Sequence, residues 1–371
     1  MRWLEDDALQ GACCTAARRR ALIHSPSPLE RVLRPRSVAV VGDAAEGAPA
    51  RALLANLLAG GFGGPVLPVC PGPGSVAGVL AYPDIASLPL VPDLALVSLP
   101  ADQAGVALAA LAARGAGGAV LTGPLPPAVP DRFGFLGAGS FGLVVPALKL
   151  NASFAPRLPR AGGCALVCHD GGIARAVLDH AGAAAFGFSH VVSLGRNDGL
   201  GFAAVLDWLS RDSATRVVLI EVARIRDRRR FLSAARAVSR GRAVIALRTA
   251  PEAPPDPEAE FALGAGAVFS AALRRAGIVD VASLEEMLDA AAVLSRRQRM
   301  QGERVFIAAS APSLAALAGR AVTQAGGIVA APGEAEAKAL GLLASEAPCS
   351  NPAIAAEGAP ATRLGELAAC A

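Results

Sequence analysis

Ser37-Val-Ala-Val-Val-Gly42, followed by the polar turn Asp43-Ala-Ala-Glu-Gly47 and by Ala50-Arg-Ala-Leu-Leu-Ala-Asn-Leu-Leu-Ala59, is the stretch that decides the fold. An apolar β-branched run stopped by glycine reads as a buried strand, and the Ala/Leu run reads as a helix. Glycines at 60–64 end that helix, and Pro65-Val-Leu-Pro-Val-Cys-Pro71 reads as a second strand. Asp93-Leu-Ala-Leu-Val-Ser-Leu-Pro100 reads as a third. Strand, glycine turn, helix, strand is the βαβ unit of a doubly wound nucleotide-binding fold. Its turn brings backbone N–H groups and a helix N-terminus to where a phosphate would sit.

The chain has 371 residues, enough for two or three cored domains. Apolar residues make up 53% and aromatics only 4%, so the cores are Ala, Val and Leu packed closely against many glycines. A net charge of +4, with the cations scattered, gives no nucleic-acid footprint. No uninterrupted apolar run reaches the length of a membrane span, and the start, Met1-Arg-Trp-Leu-Glu-Asp-Asp7, lacks the core of a signal peptide. The expectation is a soluble, cytoplasmic protein. Cys164 and Cys168 on one predicted strand lie roughly 13 Å apart, too far for a disulfide or a shared metal. No metal site is expected, and Cys168-His169 reads as structure or loop.

In chain order, residues 1–28 read as a leader or linker and 29–157 as the first α/β domain, with Phe141–Pro146 as its last strand. Residues 158–302 repeat the strand–helix alternation, with strands near 163–168, 189–194, 215–222 and 242–248. Residues 250–262 are acidic and proline-rich, an exposed loop. A helix over Ser283–Gln298 opens on the capping box Ser283-Leu-Glu-Glu286. Residues 303–371 begin a third unit that reads as truncated.

A dinucleotide site wants Gly-x-Gly-x-x-Gly and an acidic residue about 20 positions on. Here the turn is Gly42-Asp-Ala-Ala-Glu-Gly47, and the second strand ends Val69-Cys70-Pro71 without a carboxylate. A dehydrogenase is disfavoured, and a nucleotide fold that holds no ligand stays open. Only Lys149 and Lys338 exist in the chain, so a phosphate-loop lysine is missing.

Leu33–Gly42, Asn56–Pro65, Pro92–Val97, Pro100-Ala101, Asn151–Pro156, Phe188–Gly195, Leu206–Asp212 and Ala271–Val281 resemble, in order and spacing, NDP-forming acyl-CoA synthetases. That family includes the succinyl-CoA synthetase α subunit and the synthetase-like half of bacterial protein acetyltransferases. The resemblance implies a CoA-binding Rossmann-like domain followed by flavodoxin-like parallel α/β domains. It implies CoA or acyl-CoA contacts at Gly42, Asp43, Gly47, Cys70, Pro71, Leu99, Pro100 and Ala101. Asp43 is unhelpful there, since a carboxylate repels a CoA phosphate.

The family passes a phosphoryl group through a histidine held between helix N-termini and oriented by a glutamate. At those positions this chain has Glu258 and Ala223, with Glu221 two residues earlier on the same strand face. The family's phosphate loop is replaced by Cys168-His169-Asp170-Gly171, leading into Gly172. His169 faces that old site, as a plain loop residue or as a relocated phosphate contact. His190 reads as packed in a strand, and Arg224–Arg230 as a solvated helix start. The expectation is a CoA-binding pseudoenzyme, a sensor or scaffold, with no catalytic residue retained and no nucleotide held in this chain. The alternative is a working α-type subunit of an ADP-forming acyl-CoA ligase. The partners implied are a separate ATP-grasp subunit or an acetyltransferase chain, or further copies in an oligomer.

Overall fold

A short helix, α1 (Pro28–Leu33), precedes the first sheet, its N-terminus capped by the Ser27 hydroxyl, which accepts the Glu30 N–H at 3.2 Å. In this computed structural model the described residues are 27–72, 74–184, 186–249, 265–295, 302–331, 333, 351–355, 360, 362 and 364–366. The leader before residue 27, the acidic loop at 250–264 with Glu258, and residues 296–301 lie outside them.

After α1 come β1 (Val38–Gly42), α2 (Pro49–Gly60), β2 (Val66–Val69) and a small hairpin of β3 (Ser75–Val76) with β4 (Val79–Leu80). Then follow β5 (Leu94–Ser98), α3 (Ala101–Ala113), β6 (Gly118–Leu121) and β7 (Phe135–Leu136). The sheet order is β2-β1-β5-β6-β7, and every pairing is parallel. All five residues of β1 are buried, as a parallel strand covered by helices on both faces must be. Leu53, Leu54 and Leu57 of α2 go into the core, and the helix stops at Gly61 with φ +77°, a conformation a side chain would resist.

The second sheet is built from β8 (Gly142–Val145), β9 (Leu150–Ser153), β10 (Ala161–Cys168), β11 (Phe188–Ser193), β12 (Val217–Val222), β13 (Ala243–Arg248) and β14 (Val279–Val281). Around it lie α4 (Gly171–Ala184), α5 (Phe202–Leu209), α6 (Arg228–Ser239), α7 (Ala265–Arg275) and α8 (Leu284–Leu294). The order is β14-β13-β12-β10-β11-β8-β9. Its five strands from β10 onward are parallel and wound as in flavodoxin. The strand predicted within Phe141–Pro146 is present, but it does not close the first sheet. As β8 it pairs antiparallel with β11, and β9 pairs antiparallel with β8, so the second sheet is mixed. An apolar run buried on both faces fits either sheet, so its partner is not written in its own residues.

The Ser283 half of the capping box forms as read, its hydroxyl accepting the Glu286 N–H at 3.1 Å, while the Glu286 carboxylate reaches one residue further back and accepts the Ala282 N–H at 2.8 Å instead of that of Ser283.

The first helix also holds the second sheet's flank. Arg34, just past α1, pairs with the buried Asp212 and lies 5.4 Å above the Trp208 ring. Trp208 in turn donates its indole N–H to Glu30. His190 packs edge-on to Trp208 with ring centroids 4.9 Å apart, and its Nδ1 stands 3.8 Å from the Asp212 carboxylate. His190 is thus a packed strand residue, in line with the sequence reading.

Chain contacts divide at residue 296. The unit beyond contains β15 (Arg304–Val305), β16 (Ala308–Ala309), α9 (Pro312–Gln324), β17 (Ile328–Val329) and β18 (Ala353–Ile354), with β15 parallel to β17 and β16 parallel to β18. Asn351 stitches it together, its amide donating to the carbonyls of Val305 at 2.7 Å and Ala330 at 2.8 Å.

Candidate functional site

In doubly wound sheets ligands lie outside the carboxyl ends of the strands, where the winding reverses. In the first sheet that point is between β1 and β5, where Gly42 pairs with Ser98. A Cβ on Gly42 would stand 2.6 Å from the Ala50 Cβ and 2.7 Å from the Ser98 carbonyl oxygen, so only glycine lets strand, turn and helix meet. Gly47, with φ +82°, turns the chain into α2.

Gly42, Asp43 and Cys70 line one shallow cleft with Ala44, Arg51 and Val76. Its free volume is about 10 Å³, so a CoA-sized ligand would lie across the strand ends rather than sink between them. Pro71 follows Cys70 as an exposed residue. Leu99, Pro100 and Ala101 stand at the end of β5, where Pro100 precedes the first residue of α3. The structure therefore gathers Gly42, Asp43 and Cys70 in one cleft and sets Leu99–Ala101 at the end of the neighbouring strand.

Two details bear on anion binding there. The Asp43 carboxylate accepts the Ala45 N–H at 2.9 Å, and the Ala48 N-cap of α2 makes no side-chain cap; Pro49 at the first helical position has no N–H, so the uncapped first-turn amides are those of Ala50 and Arg51. Arg51, in that first turn, lines the cleft and donates to the Ala44 carbonyl at 3.1 Å. The sequence reading passed over Arg51, although a cation in the first turn of a helix, against the dipole, is itself a signal. Burial, and next the Asp43 charge, push the Cys70 thiol up, so it stays neutral.

In the second sheet the winding reverses at β10, and the loop after it, Cys168 to Gly172, opens α4. This loop is occupied from within. Glu221 on β12 is 1% exposed; its Oε2 accepts the N–H of His169 at 2.7 Å and of Asp170 at 3.3 Å. Its other oxygen accepts the Thr249 hydroxyl. The Asp170 carboxylate accepts the N–H of Gly172 at 2.5 Å and of Ile173 at 3.3 Å. Gly171 lies close under Phe141, 3.2 Å from where a Cβ would be.

His169 is held by its ring. Nδ1 lies 2.9 Å from the Gly195 carbonyl oxygen, and Nε2 lies 3.0 Å from the Arg224 carbonyl oxygen and 3.3 Å from the Arg224 amide nitrogen. The ring meets Phe202 edge-on with centroids 5.0 Å apart. Both nitrogens are thus engaged with backbone. Cys168 is fully buried, and burial, then Glu221 and Asp170, push its thiol up. Ala223 is exposed just past β12, while Glu221, one strand pair earlier, is the carboxylate that reaches the loop. Thr249 gave no signal in the sequence, being a lone hydroxyl at the end of β13.

The arginines at 224–230 are only partly a solvated helix start. Arg224 donates to the Arg196 carbonyl at 3.0 Å, and Arg226 to the Asn197 carbonyl at 3.1 Å, tying down the turn after β11. Between α5 and α6 the surface opens into a cleft of about 770 Å³ lined by Phe202, Ile225, Arg226, Arg230 and Asp207 among others. None of the residues expected to bind CoA lies in it. No cluster of metal-ligating side chains occurs among the described residues, and no helix among them is long and apolar enough to cross a membrane.

Residues 36–125 match the CoA binding domain family, and residues 161–294 match the succinyl-CoA ligase like flavodoxin domain. The chain is 28% identical over 310 residues to acetate–CoA ligase (ADP-forming) I of Archaeoglobus fulgidus, covering 78% of this chain and 45% of that protein. It therefore spans about half the length of that relative. With the α subunit of acetate–CoA ligase (ADP-forming) I of Pyrococcus furiosus it shares 27% identity over 324 residues, 80% of this chain and 70% of the subunit. Its fold matches the dinucleotide-forming acetyl-coenzyme A synthetase 1 of Ca. Korarchaeum cryptofilum, solved with phosphate and ADP. That match has a TM-score of 0.78 at 24% identity over 88% of this chain and 75% of the other.

Proposed function

We propose that this chain, which carries matches to a CoA binding domain and to a succinyl-CoA ligase like flavodoxin domain, binds CoA and acyl-CoA thioesters as the α-type component of an ADP-forming ligase. A separate ATP-grasp chain supplies the nucleotide chemistry in this reading. One observation supports it most: the cleft at the ends of β1 and β2 joins an uncapped helix N-terminus to Arg51, beside a Gly42 where no side chain fits. That donor set suits the phosphates of CoA, with the α2 amides as donors and Arg51 as the counter-charge. When bound, CoA supplies the thiol that carries the acyl group. The chain's part is to anchor the phosphates and orient the ligand across the strand ends. The free thiols of Cys70, Cys164 and Cys168 suit the reducing cytoplasm, where the proposal places the protein.

Binding without turnover is a second reading, and one observation favours it: Glu221 and Asp170 take up the amides of the loop at 168–173. Titration calorimetry with CoA and acetyl-CoA tests the first claim, and absence of binding to either defeats both readings. ADP release on mixing with an ATP-grasp chain, CoA and acetate separates the two: turnover supports the ligase, and saturable binding with no ADP release supports the second reading.

A further inference from the structure

A buried hydrogen-bonding atom left without a partner costs stability, so an orphan on the wall of a cleft marks a place for a ligand. Asn197, on the turn after β11, is 2% exposed, and its side chain is half used. The amide donates to the Arg224 carbonyl at 3.3 Å, while Oδ1 has no partner among the described residues. The left-handed backbone at Asn197 (φ +59°) explains an asparagine at this position, but not the empty acceptor. Oδ1 lies 2.9 Å from where a Cβ on Gly201 would stand, and both residues line the cleft of about 770 Å³ between α5 and α6. Further features converge there. Gly201 precedes α5 and gives it no side-chain cap; the amides of Ala204 and Val205 bond the Gly201 carbonyl, and those of Phe202 and Ala203 are uncapped. Arg226 is pinned through Nη1 to the carbonyls of Asn197 at 3.1 Å and Asp198 at 2.5 Å, and it pairs with no carboxylate among the described residues. The acidic groups of the lining are answered by other cations, Asp207 by Arg211 at 2.6 Å and Asp227 by Arg230 at 3.4 Å.

We propose that the cleft between α5 and α6 is a binding site for an organic carboxylate that has an apolar body and carries a hydroxyl or ammonium group beside the carboxylate. The carboxylate takes the uncapped α5 amides and Arg226, which supply donors and an unanswered positive charge. The hydroxyl or ammonium donates to Asn197 Oδ1. These partners are crowded at 197–203, so donor and carboxylate belong on neighbouring carbons of the ligand. The apolar body lies between the helices, against Ile225, Ala204 and Ala234. A bare carboxylate would leave Oδ1 orphaned, and a bare cation would meet Arg226, so both groups are required on one molecule. The cleft is of the size that small molecules occupy. It is apart from the residues expected to bind CoA, so it holds a second ligand and does not rest on the CoA reading.

Leucine, its α-hydroxy analogue leucate, and isocaproate share one apolar body and one carboxylate, and differ at the α-carbon as ammonium, hydroxyl or hydrogen. Each is titrated into the full chain in the absence of CoA and followed by ligand-observed NMR and calorimetry. At least one of the donor-bearing acids is expected to bind about fivefold or more tighter than isocaproate, the effect of satisfying one buried acceptor. Which of the two binds tells an amino acid from a hydroxy acid. Arg226→Met is expected to weaken that binding about tenfold. Ala204→Phe, at a half-buried position, fills the cleft and is expected to abolish it. Because Arg226 also ties down the turn after β11, Ala204→Phe carries the test if the methionine variant does not fold. No saturable binding of any of the acids, isocaproate binding as tightly as both others, or binding unchanged in the folded variants overturns the proposal.

Discussion

His190 makes the chain's stability dependent on acid in a way that one substitution isolates. The residue is 2% exposed, packed between Trp208 and the Asp212 carboxylate. Burial lowers its pKa from 6.5 to about 4, with the Asp212 carboxylate opposing the shift and Arg34 adding to it. In the unfolded chain the ring takes up a proton as pH falls through 6.5, while in the folded chain it stays neutral until about pH 4. The folded state binds fewer protons across that window, so the stability present above pH 6.5 declines as pH falls and levels off below about 4. The drop of roughly 2.5 units, at 1.36 kcal/mol each, corresponds to about 3 kcal/mol. Carboxylates titrate in the same range, so the measurement is a difference. Urea unfolding of the natural chain and of His190→Phe is compared between about pH 7.5 and pH 4. The phenylalanine keeps the aromatic contact with Trp208 and cannot take up a proton. The natural chain is expected to lose about 3 kcal/mol more than the variant over this range. Parallel pH profiles for the two proteins refute the reasoning.

Other outcomes follow from the packing. Gly42→Ala drives a Cβ to 2.7 Å from the Ser98 carbonyl and is expected to cost about 1–3 kcal/mol by thermal unfolding, with CoA affinity lost along with it. Arg51→Ala removes an exposed cation from the cleft and is expected to weaken CoA binding about five- to tenfold in calorimetry, with the unfolding midpoint hardly moved. Burial, partly offset by Arg216, pushes the Cys164 thiol up to about 12, and Cys168 is raised as well, so iodoacetamide at pH 8 is expected to leave both unmodified until the chain is unfolded, as read by peptide mass spectrometry. Phe188→Ala, at a side chain 1% exposed beside Phe186, is expected to cost about 3–5 kcal/mol in urea unfolding.

The strand–turn–helix at 38–60 was legible because a buried parallel strand is continuously apolar and its glycine is sterically required. The Ser283 helix was legible because its cap is local chemistry. What stayed hidden depends on distant partners. The pairing of Gly142–Val145 cannot be read from an all-apolar run, and β14 is three residues whose pairing with β13 is set by the sheet. At the loop after β10, the spacing marked Glu221 as one strand pair from the family position, but not that its carboxylate would turn onto the amides of His169 and Asp170. Arg51 leaves only one mark in the sequence, a cation set against the dipole in the first turn of a helix, with no second residue to complete a pattern. Glu258 lies outside the described residues, so the expectation drawn from it rests on sequence alone.

The crossing of β8 and β9 into the second sheet bears on how this chain can be dissected. A cut near residue 157, the boundary the sequence suggests, would separate these two strands from β11, which pairs with β8 across Val144–Val191 and Leu143–Val192. Asn56 on α2, which donates to the Ser153 carbonyl at 2.8 Å, would remain with the severed strands. The amino-terminal fragment would carry an unpaired hairpin with nothing but α2 beneath it, and the carboxy-terminal fragment would bare the edge of β11, a template for pairing with other chains. A break placed near residue 138 leaves the hairpin with its sheet, and is where a split-protein or domain-exchange design on this scaffold should begin.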